Sequence, residues 1–415
     1  MAEKKKTANL DRQFTEMNMS EIQRSVVSNY LGGIERERKP RPFMCWGAPG
    51  EGKTFTMIAA ARELKRRLGV EFDFFDIPTS CLEPCDITGI PFPIKVEGTD
   101  TYSKCLAPSW AYLISKEYER DQQLLNPDFK ANPAILMFDD VPAAHFQTQT
   151  AFFKGVHEGK WGEMNQRDNV MVVACGNRVE DNAGANDMPT ALANRFEHAF
   201  ANPTTDDWLK WGAAFREKSE PGKKNESRIH PLPLAFIRTS KDSLRNFDPA
   251  VALRDKAFAS CRTWEAVSEL HYEGQIGQDD PIFSRKLMGI VGRGVATEYG
   301  GFLRNSTSLV APETIIADPH NAPIPSPRNL DSLHATISSL EMHLKQHPKE
   351  SWKACMIYAT RDKLLPDVAA LLVFTISEVI ADLPSKERNA AFTDQVFIDF
   401  LEKNEDFIDM VTEKG

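Results

Sequence analysis

A chain of 415 residues is too long for one compact core and asks for two or three domains. Hydrophobic residues at 41% and charged residues at 26% suit a soluble globular protein. The formal charge of -9 speaks against broad nucleic-acid binding, which needs clustered Lys and Arg, and so favours protein partners, although a local basic channel stays open.

The Lys4-Lys5-Lys6 run leads into Thr-Ala-Asn rather than an apolar stretch, so no secretory signal is expected. Residues 368–376, the most apolar helical stretch, are too few to cross a bilayer. Seven cysteines with one left over indicate reduced thiols and a cytoplasmic location. Cys81, Cys85 and Cys105 lack a paired C-x-x-C or a His neighbour, so buried free thiols are expected there rather than a zinc site.

In chain order, residues 1–38 read as a polar arm and a helix over 19–30, stopped at Gly32-Gly33. A nucleotide-binding α/β domain is expected over 39–205. It begins with a strand at 42–46, a glycine-rich turn, a helix over 53–68 and a strand over 71–77. Residues 81–133 read as an irregular insertion with one amphipathic helix over 110–125. The continuous apolar runs 134–138 and 170–175 suit strands buried on both faces of a parallel sheet. Strands alternating with helices give a doubly wound α/β core. Beyond Pro203 only helices are expected. A helical lid runs over 206–305, with helices at 247–258, 264–270 and 283–302. A Pro-rich linker, 312–327, opens a helical C-terminal extension over 306–415, with helices at 333–344, 352–359, 368–383 and 392–407.

The strongest motif is Gly47-Ala48-Pro49-Gly50-Glu51-Gly52-Lys53-Thr54, which fits G-x-x-x-x-G-K-[ST] between an apolar strand and a helix. Gly50 and Gly52 let successive N–H groups turn inward around phosphate oxygens, and the helix N-terminus adds partial positive charge. Lys53 is expected on the β- and γ-phosphates of ATP and Thr54 on Mg²⁺, with Phe55 beside them in the first helical turn. The run Ile135-Leu136-Met137-Phe138-Asp139-Asp140 reads as a Walker B strand. There Asp139 would hold Mg²⁺ through water and Asp140 would act as the base. Asn177, at the tip of 169–176, could orient a water or simply form a turn. Arg195 could stabilise a neighbouring subunit's γ-phosphate, and Arg262 could reach bound phosphates; salt-bridged surface positions are the plain alternative for both.

Taken together, residues 20–305 resemble the MoxR group of AAA+ ATPases. The resemblance rests on 46–54, Phe138-Asp139-Asp140, Ala174-Cys175-Gly176-Asn177-Arg178, Leu192-Ala193-Asn194-Arg195-Phe196, Arg262-Thr263-Trp264-Glu265 and Asp86-Ile87-Thr88-Gly89-Ile90-Pro91. It implies that Asn177 is sensor 1, Arg195 the arginine finger and Arg262 sensor 2. It also implies a ring, usually a hexamer, and chaperone-like remodelling of a client such as a von Willebrand factor A domain protein. The loop at Gly89-Ile90-Pro91 would approach the ring's pore, and 158–162 is either the tip of a family hairpin that touches clients or a plain surface turn. The chain departs from the group at Asp140, where Glu is usual. Asp is one carbon shorter, a loss of roughly 1.5 Å of reach, which predicts slow hydrolysis or a base moved closer. A nucleic-acid motor, a small-molecule kinase and a nucleotide switch with little hydrolysis remain as alternatives. The extension after residue 306 matches no functional motif.

Overall fold

A computed structural model describes residues 16–95, 102–181, 184–214, 227–306 and 309–403. The Lys4-Lys5-Lys6 run, most of the N-terminal arm and the end of the last expected helix lie outside these residues. The chain divides into two compact units. The first holds residues up to Asp207 with Phe247–Leu253, and the second holds the remainder.

The first unit is built on one six-stranded parallel sheet, the α/β class expected from the sequence. Its strands are β1 (Glu16–Met17), β2 (Phe43–Trp46), β3 (Asp73–Pro78), β4 (Ala134–Asp139), β5 (Val170–Gly176) and β6 (Glu197–Ala201). Their spatial order is β1-β6-β2-β5-β4-β3, and every neighbouring pair is parallel. The central strands β4 and β5 are apolar along nearly their whole length because both faces are covered. One face packs on helices α1 (Met19–Glu35) and α2 (Lys53–Leu68), through Ile22, Val26, Tyr30, Met57 and Leu64. The other packs on α3 (Phe146–Glu158), where Phe138, Phe152, Trp110 and Trp161 form an aromatic cluster. Asn18 caps α1 in a capping box with Glu21.

Several elements depart from expectation. The 81–133 insertion is more ordered than its Pro and Gly content suggests. It holds a hairpin of Ile90–Ile94 and Tyr102–Leu106, and its single expected helix is two, Ser109–Leu113 and Lys116–Gln123. Of the two expectations for 158–162, a hairpin tip or a plain surface turn, the structure has a small hairpin, Lys160–Trp161 with Met164–Asn165. Trp161 there is fully buried, and Gly162, with φ of 58°, presses on the Thr88 carbonyl. Cys81 and Cys85 are exposed rather than buried, because a short 3-10 turn and a five-residue helix carry them on the surface. Cys45 and Cys175 are buried, as register partners in β2 and β5. No grouping of metal-ligating side chains occurs among the described residues.

After residue 205 the named elements among the described residues are all helices and short helical turns. The expected 283–302 helix is two, Pro281–Val291 and Arg293–Asn305. Gly292 parts them at φ 82°, its Cα facing the Ala257 carbonyl too closely for a side chain. Within this second unit, Trp208, Phe236, Trp264, Tyr299 and Phe302 centre one core. Ile337, Leu340, Tyr358, Leu372 and Ile376 centre another. Ala335, in helix Leu330–Gln346, packs in the first core, so the C-terminal block is seated on the helices before it. No described helix is long and apolar enough to cross a membrane.

Candidate nucleotide-binding site

The C-terminal ends of β2, β4 and β5 lie side by side, because β5 pairs with both β2 and β4. Parallel strands put their following loops on one edge, so the three strongest sequence motifs converge there. Trp46 ends β2, and the turn Gly47–Gly52 leads into α2. Gly50 at φ 80° and Gly52 at φ 87° take left-handed conformations that other residues rarely adopt, turning the loop so that α2 begins at Lys53. The start of α2 has neither a capping side chain nor an acidic residue in its first turn, leaving its N–H groups and dipole for an anion.

Lys53 is buried, and its ammonium donates to the carbonyls of Gly47 at 2.8 Å and Ala48 at 2.9 Å and to Asn177 Oδ1 at 3.0 Å. The Asn177 amide in turn donates to Asp140 Oδ1 at 3.3 Å. Thr54 Oγ1 donates to Asp139 Oδ2 at 3.1 Å, joining the first turn of α2 to the end of β4. Thr79 donates its hydroxyl to the Asp139 carbonyl, and the Asp139 side chain accepts from the Asp140 N–H at 3.1 Å. Asp140 stands at φ 55°, ψ 41°, a left-handed turn that starts the short Val141–Ala143 helix. On neighbouring β3, burial first and the Asp139 charge second raise the Asp76 carboxyl above its ordinary value.

A hydroxyl and a carboxylate oxygen facing each other form the hard-oxygen pair that Mg²⁺ takes, so Thr54 and Asp139 fit the ion. The glycine turn, the uncapped helix start and Lys53 fit a polyphosphate. The structure therefore brings together Lys53, Thr54, Asp139, Asp140 and Asn177. Phe55 is half-buried on the first turn of α2. Arg195 sits against α3: its guanidinium lies 5.2 Å from the Phe153 ring centroid and donates to the Ala191 carbonyl. Its Nε is buried with no hydrogen-bond partner among the described residues. Arg262 is exposed on the first turn of helix Cys261–Glu273, in the second unit.

Three features of this edge went unread in the sequence. Trp46 donates its indole N–H to His198 Nδ1 at 2.9 Å, and His198 Nε2 meets the Ala193 carbonyl at 2.8 Å, tying β2 to the segment that carries Arg195. Glu51 is buried and accepts from the Ala48 N–H at 2.9 Å inside the glycine turn. Arg178, directly after Asn177, grips Asp181 through two hydrogen bonds of 3.0 Å. Only the Arg178-to-Asp181 spacing carried a hint, since acids three residues on often close a turn.

No family model matches the chain, and no curated protein matches it. Among solved structures it is similar to a chain of the E. coli MS115-1 HORMA:CdnC:Trip13 complex, at 11% identity and TM-score 0.30, covering 61% of this chain and 87% of that one. It is similar to Aeropyrum pernix ORC2 in ADPNP-ADP complexes, at 11% identity and TM-score 0.34, covering 86% and 84%. It is also similar to Aeropyrum pernix ORC1 in complex with DNA, at 15% identity and TM-score 0.32, covering 92% and 93%. The likeness is distant and bears on neither substrate nor partner.

Proposed function

We propose that this chain is a MoxR-like AAA+ ATPase that works in a ring, of six subunits as in the group it resembles, and spends ATP hydrolysis on remodelling a client protein. The observation that carries the reading is the joining of Lys53, Thr54, Asp139, Asp140 and Asn177 by hydrogen bonds at one edge of a parallel sheet. In this reading Lys53 exchanges its two carbonyl partners for the β- and γ-phosphates. Thr54 and Asp139 hold Mg²⁺, which when bound neutralises charge on the phosphate oxygens. Asn177 lies between Lys53 and Asp140, so it can place a water against the γ-phosphate. Asp140 accepts a proton from that water as its oxygen bonds to phosphorus and the bond to the bridging oxygen breaks. Arg195 is offered to the neighbouring subunit and Arg262 serves as the lid's phosphate sensor; a von Willebrand factor A domain protein is the client class this reading favours.

A slower variant of the same reading is an ATP-dependent switch with little hydrolysis. The short Asp140 side chain, held 3.3 Å from the Asn177 amide, favours it. The test is specific ATPase activity with Mg²⁺ against subunit concentration, with Arg195→Ala subunits mixed in. Activity per subunit that rises with concentration and is poisoned by the variant supports a ring with shared sites. Concentration-independent activity that the variant leaves untouched would overturn the ring, and nucleotide binding without turnover would select the switch.

A further inference from the structure

The segment that carries Arg195 is gripped from β6. His198 stands there between two partners: its Nδ1 accepts the Trp46 indole N–H at 2.9 Å, and its Nε2 lies 2.8 Å from the Ala193 carbonyl. An indole N–H can only donate and a carbonyl can only accept. Both bonds are therefore made by one form of the ring, neutral with its proton on Nε2. The sheet does not need this bridge. Backbone pairing to β1 and β2 holds β6 on both sides, and Glu197 anchors its start through Ser25, Asn29 and Arg41. Apolar side chains of similar shape at 46 and 198 would cost the fold little.

The two ends of the bridge give it a use. Trp46 directly precedes the glycine turn, whose Gly47 carbonyl accepts from Lys53 at 2.8 Å. In the proposed reading Lys53 trades that carbonyl for phosphate, so the peptide beside Trp46 changes partner with the nucleotide. Gly47 has no slack to absorb the change. Its N–H donates to the Gly176 carbonyl at 3.1 Å, and a Cβ on it would stand 3.0 Å from that of Ala201 on β6. At the other end, Ala193 closes the Thr190–Ala193 helix two residues before Arg195. Arg195 donates to the Ala191 carbonyl of that helix and keeps its Nε buried with no hydrogen-bond partner among the described residues, a seat that a phosphate would improve on. We infer, on the ATPase reading above, that His198 is a positioning residue: it relays the state of the glycine turn in one subunit to the arginine which that same subunit offers its neighbour.

Amide exchange of the full chain, with Mg²⁺ and the non-hydrolysable β,γ-imido analogue of ATP, tests the relay beside steady-state turnover. In wild type the analogue should slow exchange over 47–54 and change it over 191–196. His198→Phe keeps an aromatic ring and loses both bonds, so protection over 47–54 should stay and the 191–196 response should vanish. Its kcat should fall by about tenfold to a hundredfold, short of the roughly 10³-fold or more that an arginine finger supplies, with KM for ATP unchanged. His198→Gln, whose amide can accept from the indole and donate to the carbonyl, should restore part of both. Either a response or a kcat that survives His198→Phe overturns the relay, as does a Gln variant no better than Phe. Wild type protected over 47–54 but silent over 191–196 overturns it and leaves the ATPase reading standing. No protection over 47–54 refutes nucleotide binding at the turn and the relay with it. Binding without turnover in wild type fells the ATPase reading instead, and the exchange response alone then decides the relay. Should His198→Phe fail to fold, Trp46→Phe, which removes only the indole donor, is read in its place.

Discussion

The most exposed wager concerns the second unit, where Arg238 Nη1 and Glu341 Oε2 meet at 2.8 Å with side chains 13% and 6% exposed. Arg238 lies on helix Pro231–Thr239, Glu341 on Leu330–Gln346, and Thr375 on Pro366–Ala381 donates to the other Glu341 oxygen at 3.1 Å. Ser338 accepts a further 2.9 Å bond from Arg238. The pair thus joins the expected lid to the expected C-terminal extension. Removing one member of such a buried pair typically costs about 3–5 kcal/mol, whereas replacing both by apolar residues of similar volume is often neutral. Glu341→Ala leaves the Arg238 cation buried and removes the Thr375 acceptor. At about 2–4 °C per kcal/mol for a unit of this size, melting should fall by roughly 6–20 °C. The paired Arg238→Met, Glu341→Leu chain should recover most of that. Thermal unfolding of the full chain, followed through tryptophan emission, reads both. A single variant that melts within about 2 °C of wild type would refute the pair as a joint between the two helical blocks. A double variant as unstable as the single would refute the charge argument.

Three further outcomes follow from the geometry. Asp140→Glu, which lengthens the base, should raise kcat while leaving nucleotide affinity unchanged; a lower or equal kcat would show that reach is not limiting. His230 and His271, stacked at 4.8 Å, are lowered to about 3 and about 4, in both cases by burial, which for His230 is joined by the His271 charge. Both are therefore neutral when folded and bind protons more readily unfolded, so stability should be constant above about pH 6.5 and fall as pH drops toward 4. The shift of His271 alone corresponds to roughly 3 kcal/mol, and melting profiles of His271→Gln should lose that share of the slope while the His230 share remains. Gly155→Ala would set a Cβ 2.2 Å from the Trp161 ring, and chemical unfolding should show a loss of about 1–3 kcal/mol.

What the sequence made legible was the part written in short-range terms. The glycine turn, the Walker-type strand and Asn177 each follow an apolar run, and parallel pairing then forces their ends together. What it hid depends on partners far along the chain. β6 carries Glu197 and His198 and is only half-buried, so it has no apolar run to mark it and no strand is expected there. It is a strand because β2 and the two-residue β1 flank it on both sides. Helix Pro231–Thr239, not among the helices expected within the lid, begins Pro-Leu-Pro, and both prolines fall in the first turn, where a missing N–H costs nothing. The helical break at Gly292 was masked by a continuous apolar period across it. Arg195 and Arg262 were named from resemblance, and a single chain gives neither of them a phosphate to meet.

Asp140 shows how such a departure can have a local cause. Read along the chain, it is a shortened base. Read in the fold, it is the residue at φ 55° that turns β4 into the Val141–Ala143 helix. A left-handed position costs most residues about 1–2 kcal/mol, and Asp and Asn tolerate it best because their short polar side chains bond locally. Glu is rarer in this conformation than Asp, although Glu37 at φ 54° shows that it is tolerated, so the turn disfavours Glu without excluding it. The same turn carries the Asp140 carboxylate to the Asn177 amide, which Lys53 holds from the other side. The backbone thus supplies by rotation part of the reach the side chain lacks. If so, Asp140→Glu should lower stability by about 1 kcal/mol even while it quickens turnover, and the two effects should be separable: a variant that gains rate with no loss of stability would mean the turn relaxes freely and does not dictate the residue.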